Sequence, residues 1–144
     1  MPERSRPLFA IRVLLTITAL EFFGPILRDS NATHLLHPDW PGHARVHLVW
    51  LLAFMFFSGL VNLYLVWWRR PVDVRDLRLS AAWQCCNLGG FWVAYVLEHA
   101  YGGQIAVPGS HAHILGWDEN VFVFMVLSIV MVVALSLLAR HATD

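Results

Sequence analysis

Residues 121–138 read VFVFMVLSIVMVVALSLL, an apolar run that only Ser128 and Ser136 interrupt. A helix of this length rises about 27 Å, which is close to the roughly 30 Å thickness of the hydrocarbon core of a bilayer. The run carries no charged side chain. It therefore predicts a helix that crosses a membrane.

The composition of the whole chain also indicates a membrane protein. Of its 144 residues, 58% are hydrophobic and 14% are charged, whereas a soluble domain is usually about half apolar and a quarter charged. Three further apolar segments precede the run, at about residues 8–27, 46–68 and 79–101. Four spans would take up more than half of the chain, so we expect a single all-α domain over residues 1–144, an integral membrane bundle of four transmembrane helices.

The distribution of charge predicts the orientation of these spans. The chain has ten arginines, no lysine and ten acidic residues, and this zero balance excludes a nucleic-acid partner. Only Arg28 and Arg45 lie in the loops after the first and third spans; the others are Arg4, Arg6, Arg12, Arg69, Arg70, Arg75, Arg78 and Arg140. By the positive-inside rule, both termini are predicted to be cytoplasmic.

Loops 28–45 and 102–120 would then share the outer side of the membrane. The use of arginine without any lysine is typical of a GC-rich bacterial genome. We therefore expect a multi-pass protein of a bacterial inner membrane, with these two loops facing the periplasm.

Histidines are concentrated on that predicted outer side. Seven of the eight lie in the outer loops or within about a turn of the outer helix ends: His34, His37, His43, His47, His99, His111 and His113. Neutral imidazole is the commonest protein metal ligand and also exchanges protons near neutral pH. The cluster predicts a site for haem or for non-haem iron, copper or zinc, unless these amphipathic rings only occupy the membrane interface.

His43 and His47 form the most specific pair in this cluster. They are four residues apart where the second span begins, so on a helix their side chains share one face and have a chelating geometry. His47 also lies inside the apolar run, where a polar ring without a partner costs about 1–3 kcal/mol.

Glu21 lies deep inside the first apolar segment. A carboxylate there costs about 2.5–3.5 kcal/mol unless it is paired, protonated or bound to an ion. Its expected partners are Arg45, a histidine or a metal. In a purely structural alternative, Glu21 only links the first helix to Arg45 or, through Asn87, to the third helix. With Asn87 and Tyr95 of the third span, Glu21 makes up the predicted catalytic set.

The layout of the chain resembles the membrane-bound styrene oxide isomerases. The resemblance is based on a Pro- and Gly-containing outer loop, the element Ala44-Arg45-Val46-His47 at the start of the second span, and a Gly-rich aromatic third span. It implies that His47 is the axial ligand of haem b, with His43 and Arg45 beside it, and that the ferric iron acts as a Lewis acid on an epoxide. It also implies a trimer.

Three classes of function follow from these residues. The first is a haem- or metal-dependent membrane enzyme that isomerises, oxidises or hydrolyses a small lipophilic substrate; seven imidazoles fit a non-haem centre better than one haem. The second is a metal-free acid/base enzyme that uses Glu21 and a histidine. The third is a non-catalytic membrane subunit or metal carrier.

We further expect the substrate to enter from the lipid past aromatic side chains in the outer halves of the spans, namely Trp50, Phe54, Trp92 and Tyr95. A homo-oligomer is expected because four helices alone enclose little protected volume.

Overall fold

A computed structural model describes residues 5–106 and 113–141, and most of these residues are helical. The helices are α1 (Ser5–Thr18), α2 (Gly24–Asp29), α3 (Gly42–Leu63), α4 (Val74–Val96), α5 (Glu98–Tyr101) and α6 (Glu119–His141). A 3-10 helix, Ala19–Phe22, joins α1 to α2, and a π-helical turn, Tyr64–Trp68, extends α3. Two short antiparallel strands, β1 (His113–Ile114) and β2 (Trp117–Asp118), precede α6.

Three helical segments within this described part of the chain are long and apolar enough to cross a membrane: Pro7–Asp29, Gly42–Trp68 and Glu119–His141. They contain the predicted spans 8–27, 46–68 and 121–138 in full. The all-helical prediction is confirmed apart from the β1–β2 hairpin, where Leu115 and Gly116 adopt positive φ angles of 52° and 84°. The chain therefore belongs to the class of helical proteins with apolar, potentially membrane-spanning segments.

The predicted span 79–101 corresponds to α4 and α5 with different bounds. Helix α4 begins earlier, at Val74, where Asp73 caps it by accepting a hydrogen bond from the Arg75 backbone N–H at 2.8 Å. It ends at Val96 because Leu97 leaves the helical conformation, with a ψ of 6°. Helix α4 is less apolar than the other long helices because charged residues occupy its first turns and amides its middle.

The main core lies where α1, α4 and α6 meet. Its fully buried side chains include Ile11 and Leu15 from α1, Leu77 from α4, and Met131 and Ala134 from α6. A second cluster joins the 3-10 helix to α3 through Ala19, Phe22 and Met55. Large apolar side chains on the opposite face of α3 are exposed, which suits contact with lipid rather than water.

Buried polar side chains connect the first three long helices. Gln84 of α4 donates hydrogen bonds from its Nε2 atom to the Leu15 carbonyl at 3.2 Å and to the Ser80 hydroxyl at 3.1 Å. The Ser80 hydroxyl donates to Asn62 Oδ1 at 2.7 Å, and the Thr18 hydroxyl donates to Gln84 Oε1. Helices in lipid are commonly joined by such bonds. The buried polar side chains of α4, Ser80 and Gln84, thus have hydrogen-bond partners inside the bundle.

Candidate functional site

The Glu21 side chain lies in the 3-10 helix between α1 and α2. It is only 2% exposed, and neither carboxyl oxygen has a hydrogen-bond partner among the residues that the structure describes. The backbone is irregular here: Phe23 N–H donates to the Leu20 carbonyl at 3.0 Å, and Pro25, which has no N–H, begins α2 with Gly24. The first apolar helix is therefore interrupted over residues 19–25, by the 3-10 turn and by the Gly24-Pro25 pair.

Two expected partners of Glu21 behave differently. The Asn87 amide on α4 lies near the carboxyl group and interacts with it electrostatically, although the geometry is not that of a hydrogen bond. Arg45 does not pair with Glu21. Its Nη2 atom donates instead to the backbone carbonyls of His37 at 2.9 Å and Pro38 at 3.5 Å. These carbonyls belong to the loop that leads into α3, so they are close to Arg45 along the chain.

Glu21 lines a cavity of about 590 Å³ between the broken first helix and α6, a volume in the range of small-molecule sites. We call it the Glu21 cavity. Its apolar wall includes Leu20, Val123 and Leu127, and its polar side chains are Glu21, Arg28, Asp29, His34, Glu119 and Asn120.

A second chamber of about 470 Å³ lies between the first helix, α3 and α4, and Leu51, Phe54, Trp83 and Asn87 contribute to its largely apolar wall. Four residues line both spaces: Pro25, Asp29, Phe91 and Phe124. The rings of Phe91 and Phe124 are stacked, with centroids 3.8 Å apart and planes at 10°. The two spaces are therefore adjacent across one aromatic pair.

Charged groups are paired at the rim of the Glu21 cavity. The Arg28 guanidinium donates to the Glu119 carboxylate, which links α2 to the start of α6. His34 Nε2 lies 3.9 Å from Asp29 Oδ1, and its Nδ1 atom is 2.8 Å from the Thr33 hydroxyl. The rim of the cavity therefore brings an imidazole, that of His34, to the same space as the Glu21 carboxyl group.

The predicted pair His43 and His47 lies on the first turns of α3. Their Nε2 atoms are 3.0 Å apart and their rings meet edge to face, with centroids 4.5 Å apart. Both side chains are exposed, and the His47 ring stacks on Trp50 at 6.3 Å. The pair is thus a two-nitrogen site that is open to its surroundings.

The other histidines occupy separate positions. His37 Nδ1 accepts the Asp39 N–H at 3.3 Å, and His99, with a side chain 94% exposed, lies 3.8 Å from Glu98. His113 is exposed on β1, and His111 lies outside the described residues. Over residues 5–106 and 113–141, no three His, Cys, Asp or Glu side chains lie close enough together to hold a metal ion.

Tyr95, the third member of the predicted catalytic set, lies apart from Glu21. It lines a different cavity of about 600 Å³ near Glu98 and Asp118, and its ring meets Trp92 edge to face at 5.9 Å. Glu21 and Asn87 are neighbours, whereas Tyr95 does not line the Glu21 cavity. Asp29 and Glu119 do line the Glu21 cavity. Sequence reasoning missed them because both lie at helix ends, where acidic residues are common.

No protein-family model, curated protein or solved structure matches this chain. The similarity to styrene oxide isomerases therefore stays a prediction that is based on residues 44–47 and on the order of the helices. The features of the structure that bear on function are the Glu21 cavity and the His43–His47 pair.

Proposed function

We propose that this protein is a membrane enzyme that carries out acid/base chemistry on a small lipophilic substrate, with Glu21 as the group that exchanges the proton. One observation carries the proposal: both oxygens of a buried carboxyl group have no protein partner in the described chain, and the residue lines a ligand-sized cavity. A carboxyl group inside an apolar segment is costly, so its presence at a cavity favours a functional role.

The neighbouring groups supply the remaining parts of an acid/base site. His34 lines the same cavity, and imidazole is a common general acid and base in enzymes. Asn87 can hold the Glu21 carboxyl group in position. Isomerisation needs only such proton transfer, because a proton leaves one atom of the substrate and is returned to another without a redox partner.

Epoxide isomerisation is the specific reaction that the family resemblance implies. Glu21 would donate its proton to the epoxide oxygen as a C–O bond breaks, and a base would take a proton from carbon, so the product has the same formula as the substrate. The apolar second chamber, whose wall includes the exposed Leu51 and Phe54, would admit the substrate from lipid.

Glu21→Gln tests this proposal because it keeps the size of the side chain and removes the exchangeable proton. Turnover of a lipophilic aryl epoxide by the detergent-purified protein, followed by chromatography of the isomer, should fall by about 10²–10⁴-fold. Asp76→Asn is the matched control, since Asp76 lies 3.4 Å from Arg69 at the start of α4 and outside the cavity. Chelators should leave the rate unchanged. Equal turnover by the Gln variant and the wild type would refute the proposal.

The His43–His47 pair favours a second candidate function, a metal- or haem-dependent enzyme. Two imidazole nitrogens as close together as these could bind one iron, copper or zinc ion, since metal–nitrogen bonds are about 2.0–2.1 Å long. The observed Nε2–Nε2 distance is 3.0 Å. When bound, a metal or haem b would supply Lewis acidity, and His47, with His43 and Arg45 beside it, would hold it.

We also propose that α4 crosses the membrane as the third of four spans, so that both termini are cytoplasmic in a bacterial inner membrane. Its 23 residues are long enough, and its buried Ser80 and Gln84 face the bundle. The loop before it is cationic because it holds Arg69 and Arg70, whose guanidinium groups are always protonated, and Tyr64 and Asp76 raise the pKa of Arg69 further. A homo-oligomer is part of this proposal: His47 is exposed, and no third ligand joins it and His43 among the residues that the structure describes, so a second copy would supply the further ligands that a metal needs.

A further inference from the structure

The Glu21 cavity has more acidic than basic groups. Glu21, Asp29 and Glu119 line it, against a single arginine, Arg28. That arginine is already paired with Glu119. His34, 3.9 Å from Asp29, is the remaining basic group in the wall. A ligand that brings a positive charge would therefore meet complementary groups, whereas an anion would not.

Aromatic faces lie beside these acids. Phe91 and Phe124 line the cavity as a stacked pair. The face of an aromatic ring attracts an ammonium group because of its negative quadrupole, and rings combined with a carboxylate are a usual way to bind organic ammonium ions. Most of the remaining wall is apolar and suits a hydrocarbon part.

The state of Glu21 determines how such a ligand would enter. A carboxyl group that is buried without a partner is far less costly in its neutral, protonated form. An uncharged amine can cross lipid, meet this neutral acid and take its proton. The O–H bond of Glu21 then breaks, an N–H bond forms, and an ammonium–carboxylate pair replaces two neutral groups without adding net charge to the membrane interior.

We propose that the Glu21 cavity binds a lipophilic amine, whose nitrogen accepts the Glu21 proton and stays beside the carboxylate while its apolar part lies against Phe91 and Phe124. The inference rests on the proposed function, because it uses the same Glu21 proton, and it adds a second class of ligand to the epoxide that the cavity is proposed to isomerise. Asp29, at the same wall, adds a second carboxylate near the ammonium group.

Calorimetric titration in an uncharged maltoside detergent tests this inference with two probes, phenylbutylamine and phenylbutanol, which differ in the polar end alone. The wild type should bind the amine at least about tenfold more tightly than the alcohol. Glu21→Gln should abolish that preference and leave alcohol binding intact. Asp76→Asn, outside the cavity, should keep the preference.

Infrared difference spectra of the wild type give a second readout, which a folding defect of a variant cannot affect. Adding the amine to the wild type should remove a protonated-carboxyl C=O band and add a carboxylate band, while the alcohol should do neither. Binding of both probes with equal affinity, binding of neither, or an unchanged carboxyl band would overturn the inference. Equal binding would leave the proposed function standing, because the turnover of a neutral epoxide by Glu21→Gln decides that separately.

Discussion

At the scale of single residues, the two imidazoles at the start of α3 lie unusually close to each other. A separation of 3.0 Å between two Nε2 atoms requires that the rings share either a proton or an ion, since two like-charged rings would repel. A shared proton needs one ring as donor and the other as acceptor. A divalent ion replaces that proton and needs both rings neutral.

Metal analysis distinguishes these two states. If the pair holds an ion, the purified wild type contains iron, copper or zinc, and His47→Ala and His43→Ala each lower its metal content by roughly tenfold or more. If haem b binds, a Soret band is present and His47→Ala alone abolishes it.

The matched control for both measurements is His37→Ala, because His37 accepts a backbone N–H from Asp39 and is not part of the pair. A wild type with neither metal nor a Soret band would show that the pair shares only a proton.

Glu21 illustrates what residue-level reasoning can and cannot predict. The free-energy cost of a carboxylate in an apolar segment predicted that Glu21 has a special role. In the structure its side chain is buried, and neither carboxyl oxygen has a hydrogen-bond partner among the described residues. The residues around Glu21 were not predictable. Arg45 donates to carbonyls of its own loop instead, and Asp29 and Glu119 reach the cavity only because α2 packs against α6. Pairs four residues apart, such as His43 and His47, were predictable because helix geometry alone brings them together.

At the scale of elements, the contact between α3 and the first helix depends on one glycine. A Cβ atom at Gly59, which is buried in α3, would come within 3.0 Å of the Phe23 ring. The ring itself packs against Phe56 of the same helix, with centroids 6.2 Å apart, so it cannot move freely. This close approach fixes the irregular segment that carries Glu21.

Gly59→Ala should therefore lower the stability of the protein in detergent by about 1–3 kcal/mol, because the added methyl group overpacks the contact. Thermal unfolding followed by circular dichroism measures the change.

Gly89→Ala is the matched control, since a Cβ atom at Gly89 in α4 meets nothing within 4 Å. Its stability should stay equal or rise by about 0.5–1 kcal/mol through helix propensity. A Gly59 variant as stable as the Gly89 variant would show that the two helices do not depend on this contact.

The helices themselves were largely predictable because apolar runs of span length admit few other structures. Their ends were less so. Helix α4 begins at an Asp73 cap and stops at Leu97, both of which depend on local backbone geometry rather than on hydrophobicity. The β1–β2 hairpin was missed because its two-residue strands give no periodic pattern.

At the scale of the whole molecule, the proposed topology depends on α4. The buried Gln84 bonds to α1 and α3 inside the bundle, and the charged residues lie in the first turns of α4, so the rest of its surface can still be apolar. If α4 did not cross the membrane, every segment after it would lie on the opposite side from the one proposed.

Accessibility of single cysteines tests this topology, after Cys85 and Cys86 are replaced by Ser. In intact cells, a membrane-impermeant maleimide should label a cysteine at Asn31 and should label one at Val72 only after the membrane is opened. Expression and labelling of both variants in detergent serve as the control. Labelling of both positions from outside would rule out the four-span arrangement.

The 3-10 winding of Ala19–Phe22 determines the direction in which the Glu21 side chain leaves the helix. In a 3-10 helix, residues three apart eclipse each other, so Glu21 falls directly in line with the buried Thr18, whereas regular α winding would turn it about 60° away. Thr18 is fully buried. A change that restored regular winding there would swing the acid toward the hydrocarbon, and it would also turn and shift α2, which follows directly in the chain.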